Sequence, residues 1–153
     1  AFTGRSFIDT TWEYTLDATD ITSLIELPRA PLSSITSIKT TDDDNVVTTV
    51  TASDYYAITS SEPGRVSLVS GNTWPTDLRA FSSFTVEYVS GYGALAQALP
   101  DSVRFLVKQA VLLTVARWYE HRSDTKTTVG TRGVPEVPLE AKGIAEPLKV
   151  HYL

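Results

Sequence analysis

The chain has no cysteine, which excludes disulfides, thiolate metal sites and cysteine nucleophiles. It has no methionine either, not even an initiator, and so reads as a processed or trimmed piece. Histidine is scarce: His121 and His151 are the only two. No run approaches the roughly 20 apolar residues of a membrane span. The opening AFTGRSF lacks the charged and apolar zones of a signal peptide. No GxSxG elbow, HExxH helix or His/carboxylate spacing occurs. No general base is therefore recognisable, and no catalytic, cofactor-binding or metal-ligating residue is assigned; a non-enzyme is expected.

What is present suits one folded domain. The 153 residues are 42% apolar and 20% charged, enough to build a core. Net charge is −5 but uneven. Residues 1–100 hold 5 basic and 12 acidic groups, whereas residues 101–153 hold 8 basic and 6 acidic. The acidic part repels a nucleic-acid backbone, and the small basic surplus is too scattered for a DNA-binding footprint.

The long segment without Gly or Pro is DSVRFLVKQAVLLTVARWYEHR, and its spacing predicts a helix over Asp101–Arg122. Pro100 suits a first-turn position, and Asp101 places negative charge at the positive helix end. At about 100° per residue, Val103, Leu106, Val107, Ala110, Val111, Thr114 and Trp118 share one side. Phe105, Leu112, Val115, Ala116 and Tyr119 form a second stripe nearly opposite. Such a helix needs cover on both flanks: its own sheet on one, and a short helix of the same chain or another subunit on the other. The subunit interface is the sharper expectation, because the rest of the chain offers little helix.

The remainder reads as short strands: Phe7–Ala18, Thr22–Leu27, Ser33–Thr41, Val46–Thr51, Tyr55–Ile58, Arg65–Val69 and Phe81–Val89. Gly4 reads as a helix stop. Asp42 to Asn45 form a hairpin tip, and Pro63-Gly64 carries a type II turn signature. Residues 123–132 are polar loop, and Gly133–Pro138 is extended by its prolines. Leu139–Glu146 can make two helical turns, stopped by Pro147, and Leu148–Leu153 is strand-like. The expected fold class is α+β: a β-rich body of six or seven short antiparallel strands, one long helix over about 101–122 and an extended C-terminal arm. Residues 1–122 form the core, and 123–153 form the loop and arm.

Several local patterns mimic sites. Gly91-Tyr92-Gly93-Ala94-Leu95-Ala96 matches a dinucleotide GxGxxA, but Pro100 breaks the helix it should open and no βαβ unit succeeds it. Asp42, Asp43 and Asp44 lack the alternation, central glycine and distal glutamate of a calcium loop. Trp12, Trp74 and Trp118 are read as core packing rather than a stacking platform.

One order of features is distinctive: Thr3-Gly4-Arg5, Trp12 in a strand, LPRAPLSSITSIKTTDD, Tyr55-Tyr56 and PGRVSLVSGNTWP. Next come FTVEYVSGYG, LPDSVRFLVKQAVLLTVARWYEHR, a VPL segment and EPLKVHYL. Over nearly its whole length the chain resembles the head–tail connector (adaptor) family of tailed bacteriophages and gene-transfer particles. Members usually begin with a helix before the TGR-like stretch, which is missing here. The resemblance implies a non-catalytic ring without cofactor, of twelve copies beneath the portal protein. The ring extends the DNA channel, which genomic DNA crosses without sequence-specific binding and without a membrane. Its lower surface meets a tail-side connector, stopper or tail-terminator protein. It implies a place at the head–tail junction of the virion, after assembly in the host cytoplasm. By the same analogy Gly133–Leu153 docks into the portal, through Val134, Val137, Leu139, Leu148, Val150, Tyr152 and Leu153. The subunit interface falls on Phe105, Leu112, Val115, Ala116 and Tyr119. The alternative is a β-rich binding module of a virion or surface fibre, taking carbohydrate or protein.

Overall fold

The computed structural model describes residues 3–95, 98–120 and 139–150. Its element order is β1 (Thr10–Leu16), β2 (Leu24–Glu26), β3 (Leu32–Thr41), β4 (Val47–Thr49), β5 (Tyr55–Ile58), β6 (Arg65–Leu68), β7 (Phe84–Ser90), α1 (Asp101–Glu120) and α2 (Leu139–Ala145). The α+β class and the seven short strands agree with the sequence pattern. All strand pairs are antiparallel. They form a four-stranded sheet, β1-β7-β3-β4, and a three-stranded sheet, β2-β6-β5.

Alternation along β7 explains the packing. Phe84, Val86, Tyr88 and Ser90 point inward and are buried, while Thr85, Glu87 and Val89 face outward. The inward row meets Ile25, Leu27 and Val66 of the second sheet and its approaches, with Leu32 and Ile38 of β3 beside it. Each fully buried side chain of this size contributes about 2–3 kcal/mol. Trp74 closes one end of the core, edge-on to Phe84 at 5.0 Å, and its indole N–H donates to the Thr22 carbonyl at 2.8 Å. A Glu26–Arg65 ion pair at 2.8 Å ties β2 to β6. Of the other tryptophans, Trp12 packs at the core margin beneath the Arg29 guanidinium, whereas Trp118 is half exposed on α1.

The Asp42–Asn45 tip forms as expected. Asn45 takes a positive φ of 61°, and the Asp42 carboxylate accepts the Val46 N–H at 2.8 Å. Gly4 is also at positive φ.

Four expectations are corrected. First, the long helix does not lie on the sheet. The inward face of β7 is already filled by the second sheet, so α1 packs on α2 and has no fully buried residue. Second, Pro63-Gly64 is not a type II turn: the Glu62–Pro63 bond is cis, and Gly64 is not among the glycines at positive φ. Gly64 is needed for closeness instead, since a Cβ there would fall 2.2 Å from the Leu32 Cβ. Third, Leu148 is not in a strand but ends a single 3-10 turn, Glu146–Leu148, at Pro147. Fourth, the arm expected to be extended is packed at its root: Leu148 and Val150 are 5% and 7% exposed, and the Val150 N–H donates to the Thr3 carbonyl. The 123–138 segment, His121 and Arg122 of the expected helix end, and His151 lie outside the described residues.

Gly64→Ala is expected to cost about 1–3 kcal/mol, because the sheets must part to admit a methyl group. A lower urea midpoint at unchanged slope would report it.

Candidate functional site

α1 is a straight run without a helix breaker, opened by the Arg104 N–H to Pro100 carbonyl bond at 2.9 Å. Asp101 and Arg104 pair across its first turn. Its two stripes have different fates. The side carrying Val107, Ala110 and Thr114 turns to α2 and to residues 3–7, and it is half buried there. The opposite side stays open: Phe105 is 60% exposed, Leu112 51% and Tyr119 66%, with Ala116 exposed between them.

Between α1, α2 and the N-terminal stretch lies an apolar groove of about 620 Å³. Val107, Val111 and Trp118 form one wall, and Ala141, Ala145 and Leu148 the other. The Thr114 hydroxyl is satisfied by the Ala110 carbonyl at 2.8 Å, so that position adds no free polar group to the wall. Val115 also lines this groove, so it borders the concave side and not only the exposed stripe where the sequence pattern put it. Ala141 and Ala145, one helical turn apart, keep the α2 wall low enough for the groove to exist. Sequence reasoning found the α2 segment but not this wall; two alanines at i and i+4 were the available signal.

The groove is anchored by a residue that the sequence pattern quoted but gave no role. Arg5 donates from Nε to the Leu148 carbonyl at 2.6 Å and from Nη1 to Tyr92 Oη at 2.8 Å. Both its terminal nitrogens reach the Glu62 carboxylate, in the fork geometry that suits guanidinium. Donating hydrogen bonds to the Glu62 carboxylate pushes the guanidinium above its ordinary value, against the desolvation that opposes it. Burial raises the Tyr92 phenol, with Arg5 acting the other way. One side chain thus joins residues 3–7, the loop before β6, the exit of β7 and the C-terminal segment. Beside it the Val150 N–H donates to the Thr3 carbonyl at 2.9 Å, and the Ser6 N–H to the Ala30 carbonyl at 2.9 Å.

The glycine-rich exit of β7 has a structural explanation. A Cβ on Gly91 would lie 2.4 Å from the Asp9 backbone nitrogen, and the Asp9 N–H bonds the Gly93 carbonyl at 3.0 Å. The glycines let the N-terminal stretch cross there. Among the described residues, no group of three or more His, Asp or Glu side chains is placed to hold a metal, and no helix is long and apolar enough to cross a membrane. Of the expected docking residues, Leu139 is 80% exposed at the start of α2. Val134, Val137, Tyr152 and Leu153 lie outside the described residues.

No protein-family model matches the sequence, and no curated protein matches it. Solved structures do. A chain in the neck of a native GTA particle, computed with C12 symmetry, superposes with a TM-score of 0.70 at 21% identity. That match covers 98% of this chain and 74% of the other. A chain in the virion of a native gene transfer agent particle gives 0.68 at 21%, covering 98% and 70%. A chain in the neck of an empty GTA particle, computed with C6 symmetry, gives 0.64 at 20%, covering 97% and 70%. At these identities the likeness establishes a shared fold.

Arg5→Ala is expected to lower stability by about 2–4 kcal/mol, since it strips a charge-assisted bond from Leu148 and leaves Glu62 without its fork partner. Limited proteolysis should then cut near residues 146–150 first. Arg5→Lys should rescue little, because one ammonium cannot serve three acceptors on different sides.

The phenols give a pH dependence. Burial raises Tyr92 and Tyr55 above 10.0, so the stability they contribute is complete below about pH 10 and is lost as pH rises through the raised values. Urea midpoints followed into the alkaline range should fall, and Tyr92→Phe with Tyr55→Phe should flatten that fall.

Proposed function

We propose that this chain is a structural component of a phage-like head–tail junction: a connector whose copies stand side by side in a ring beneath the portal. The observation that carries the reading is the exposed apolar side of α1. Phe105, Leu112 and Tyr119 sit there, each more than half exposed. At ordinary side-chain areas these three present on the order of 350–400 Å², the size of a functional apolar patch on a subunit surface. The likeness in fold to chains of particle necks computed with C12 and C6 symmetry supports a ring as the partner arrangement.

Other parts of the reading depend on that placement. The ring extends the DNA channel, and the acidic excess of residues 1–100 suits a conduit that DNA crosses without sticking. The portal contact falls on Leu139 with Val134, Val137, Tyr152 and Leu153. Leu148 and Val150 serve instead as the root that fixes this segment to the body. The lower surface receives a tail-side connector, stopper or tail-terminator protein. The chain acts in the virion, without catalysis or cofactor.

Leu112→Asp tests the interface. Leu112 is half exposed, so the variant subunit should keep its circular dichroism and melting temperature. Burying its carboxylate between copies should weaken assembly by about 3 kcal/mol or more, at least ~100-fold in affinity. Particle mass by light scattering, with and without portal protein, reads the difference. A variant that unfolds as a monomer would place Leu112 inside the subunit and overturn the reading.

A further inference from the structure

We infer that adjacent copies engage ridge to groove: the Phe105–Leu112–Tyr119 ridge of one α1 seats in the groove between α1 and α2 of the next copy. This rests on the ring reading and specifies its contact.

The geometry supplies two unlike surfaces on opposite flanks of a single helix. Phe105, Leu112 and Tyr119 recur every seven residues and form a ridge along one side. Leu112 and the groove residue Thr114 are two positions apart, which at 100° per residue puts them on opposite sides of α1. A convex surface on one flank and a concave one on the other cannot both be satisfied by a two-fold pair. Ridge on ridge would close a dimer and leave every groove open. Ridge into groove repeats head to tail, and such a contact closes into a ring when its rotation divides the circle.

The chemistry and size agree. The groove walls are apolar, and Ala110, Ala141 and Ala145 leave depth for larger side chains to enter. Its 620 Å³ exceeds the space for one Phe, one Leu and one Tyr side chain, on the order of 400 Å³ at interior packing density. A ridge from another helix is also the shape that ridges-into-grooves packing accepts between two helices. The same step buries exposed apolar side chains on both flanks of α1: Phe105, Leu112 and Tyr119 on one copy, and Val111, Val115 and Trp118 on the other.

The absence of cysteine makes the test clean, because introduced thiols report alone. Leu112→Cys marks the ridge and Ala145→Cys the groove; Val111→Cys is a second groove position. None of the three sites is fully buried, and circular dichroism checks that each variant folds. Each protein is made separately, mixed under conditions where the unaltered chain assembles, and treated with a short bismaleimide. Ridge plus groove variants should cross-link in high yield and either alone should not. The Leu112→Cys/Ala145→Cys double variant should give a covalent ladder that ends at the ring. Efficient cross-linking of Leu112→Cys with itself would overturn the inference. So would rings of normal mass in which no ridge–groove pair links, although the ring reading would then stand. A chain that stays monomeric at every concentration, with and without portal protein, would remove both.

Discussion

The inward row of β7 meets the second sheet, and most of the architecture depends on that contact. Phe84, Val86 and Tyr88 are covered by Ile25, Leu27 and Val66, so the hydrophobic core is complete between two antiparallel sheets. A core closed in this way has no place for a helix. The 20-residue α1 is left outside it, with one flank shared with α2 and the other open. The close approach of Gly64 to Leu32 belongs to the same constraint, because the sheets reach this spacing only where one side chain is missing.

A helix excluded from the core must be held by something else. The holding is polar and local. Arg5 gathers Glu62, Tyr92 and the Leu148 carbonyl, and the Thr3–Val150 backbone bond lies next to it. These contacts fix α2 in place, and α2 in turn forms the far wall of the groove. The β-sandwich, the N-terminal stretch and the helical pair are thus linked through one guanidinium. Its bonds are strong because it is nearly enclosed and all three partners are oriented toward it. The helical pair and the body are joined at that point.

Much of this was legible in the chain. β5 begins and ends where alternation placed it, β3 and β6 differ by one residue at an end, and α1 begins at Asp101 as expected. The hairpin tip at Asp42–Asn45 was also readable, since turn chemistry acts over a few residues. The exposed stripe of Phe105, Leu112, Ala116 and Tyr119 was visible as a periodicity. The roles of Arg5, Gly64 and Leu148 were not. Arg5 and Leu148 are 143 positions apart, and nothing near either of them announces the other.

By itself the sequence determined where strands and helices form, and it determined that α1 is apolar on two opposite sides. Those properties depend on residue spacing within one element, which the backbone periods of 2 and 3.6 impose locally. Only the tertiary structure decided which side of α1 became a groove, which stayed a ridge, and that Leu148 and Val150 turn inward. Such choices depend on which apolar surfaces meet first and fill each other. Here the two sheets satisfied one another, and α1 kept a solvent-exposed flank.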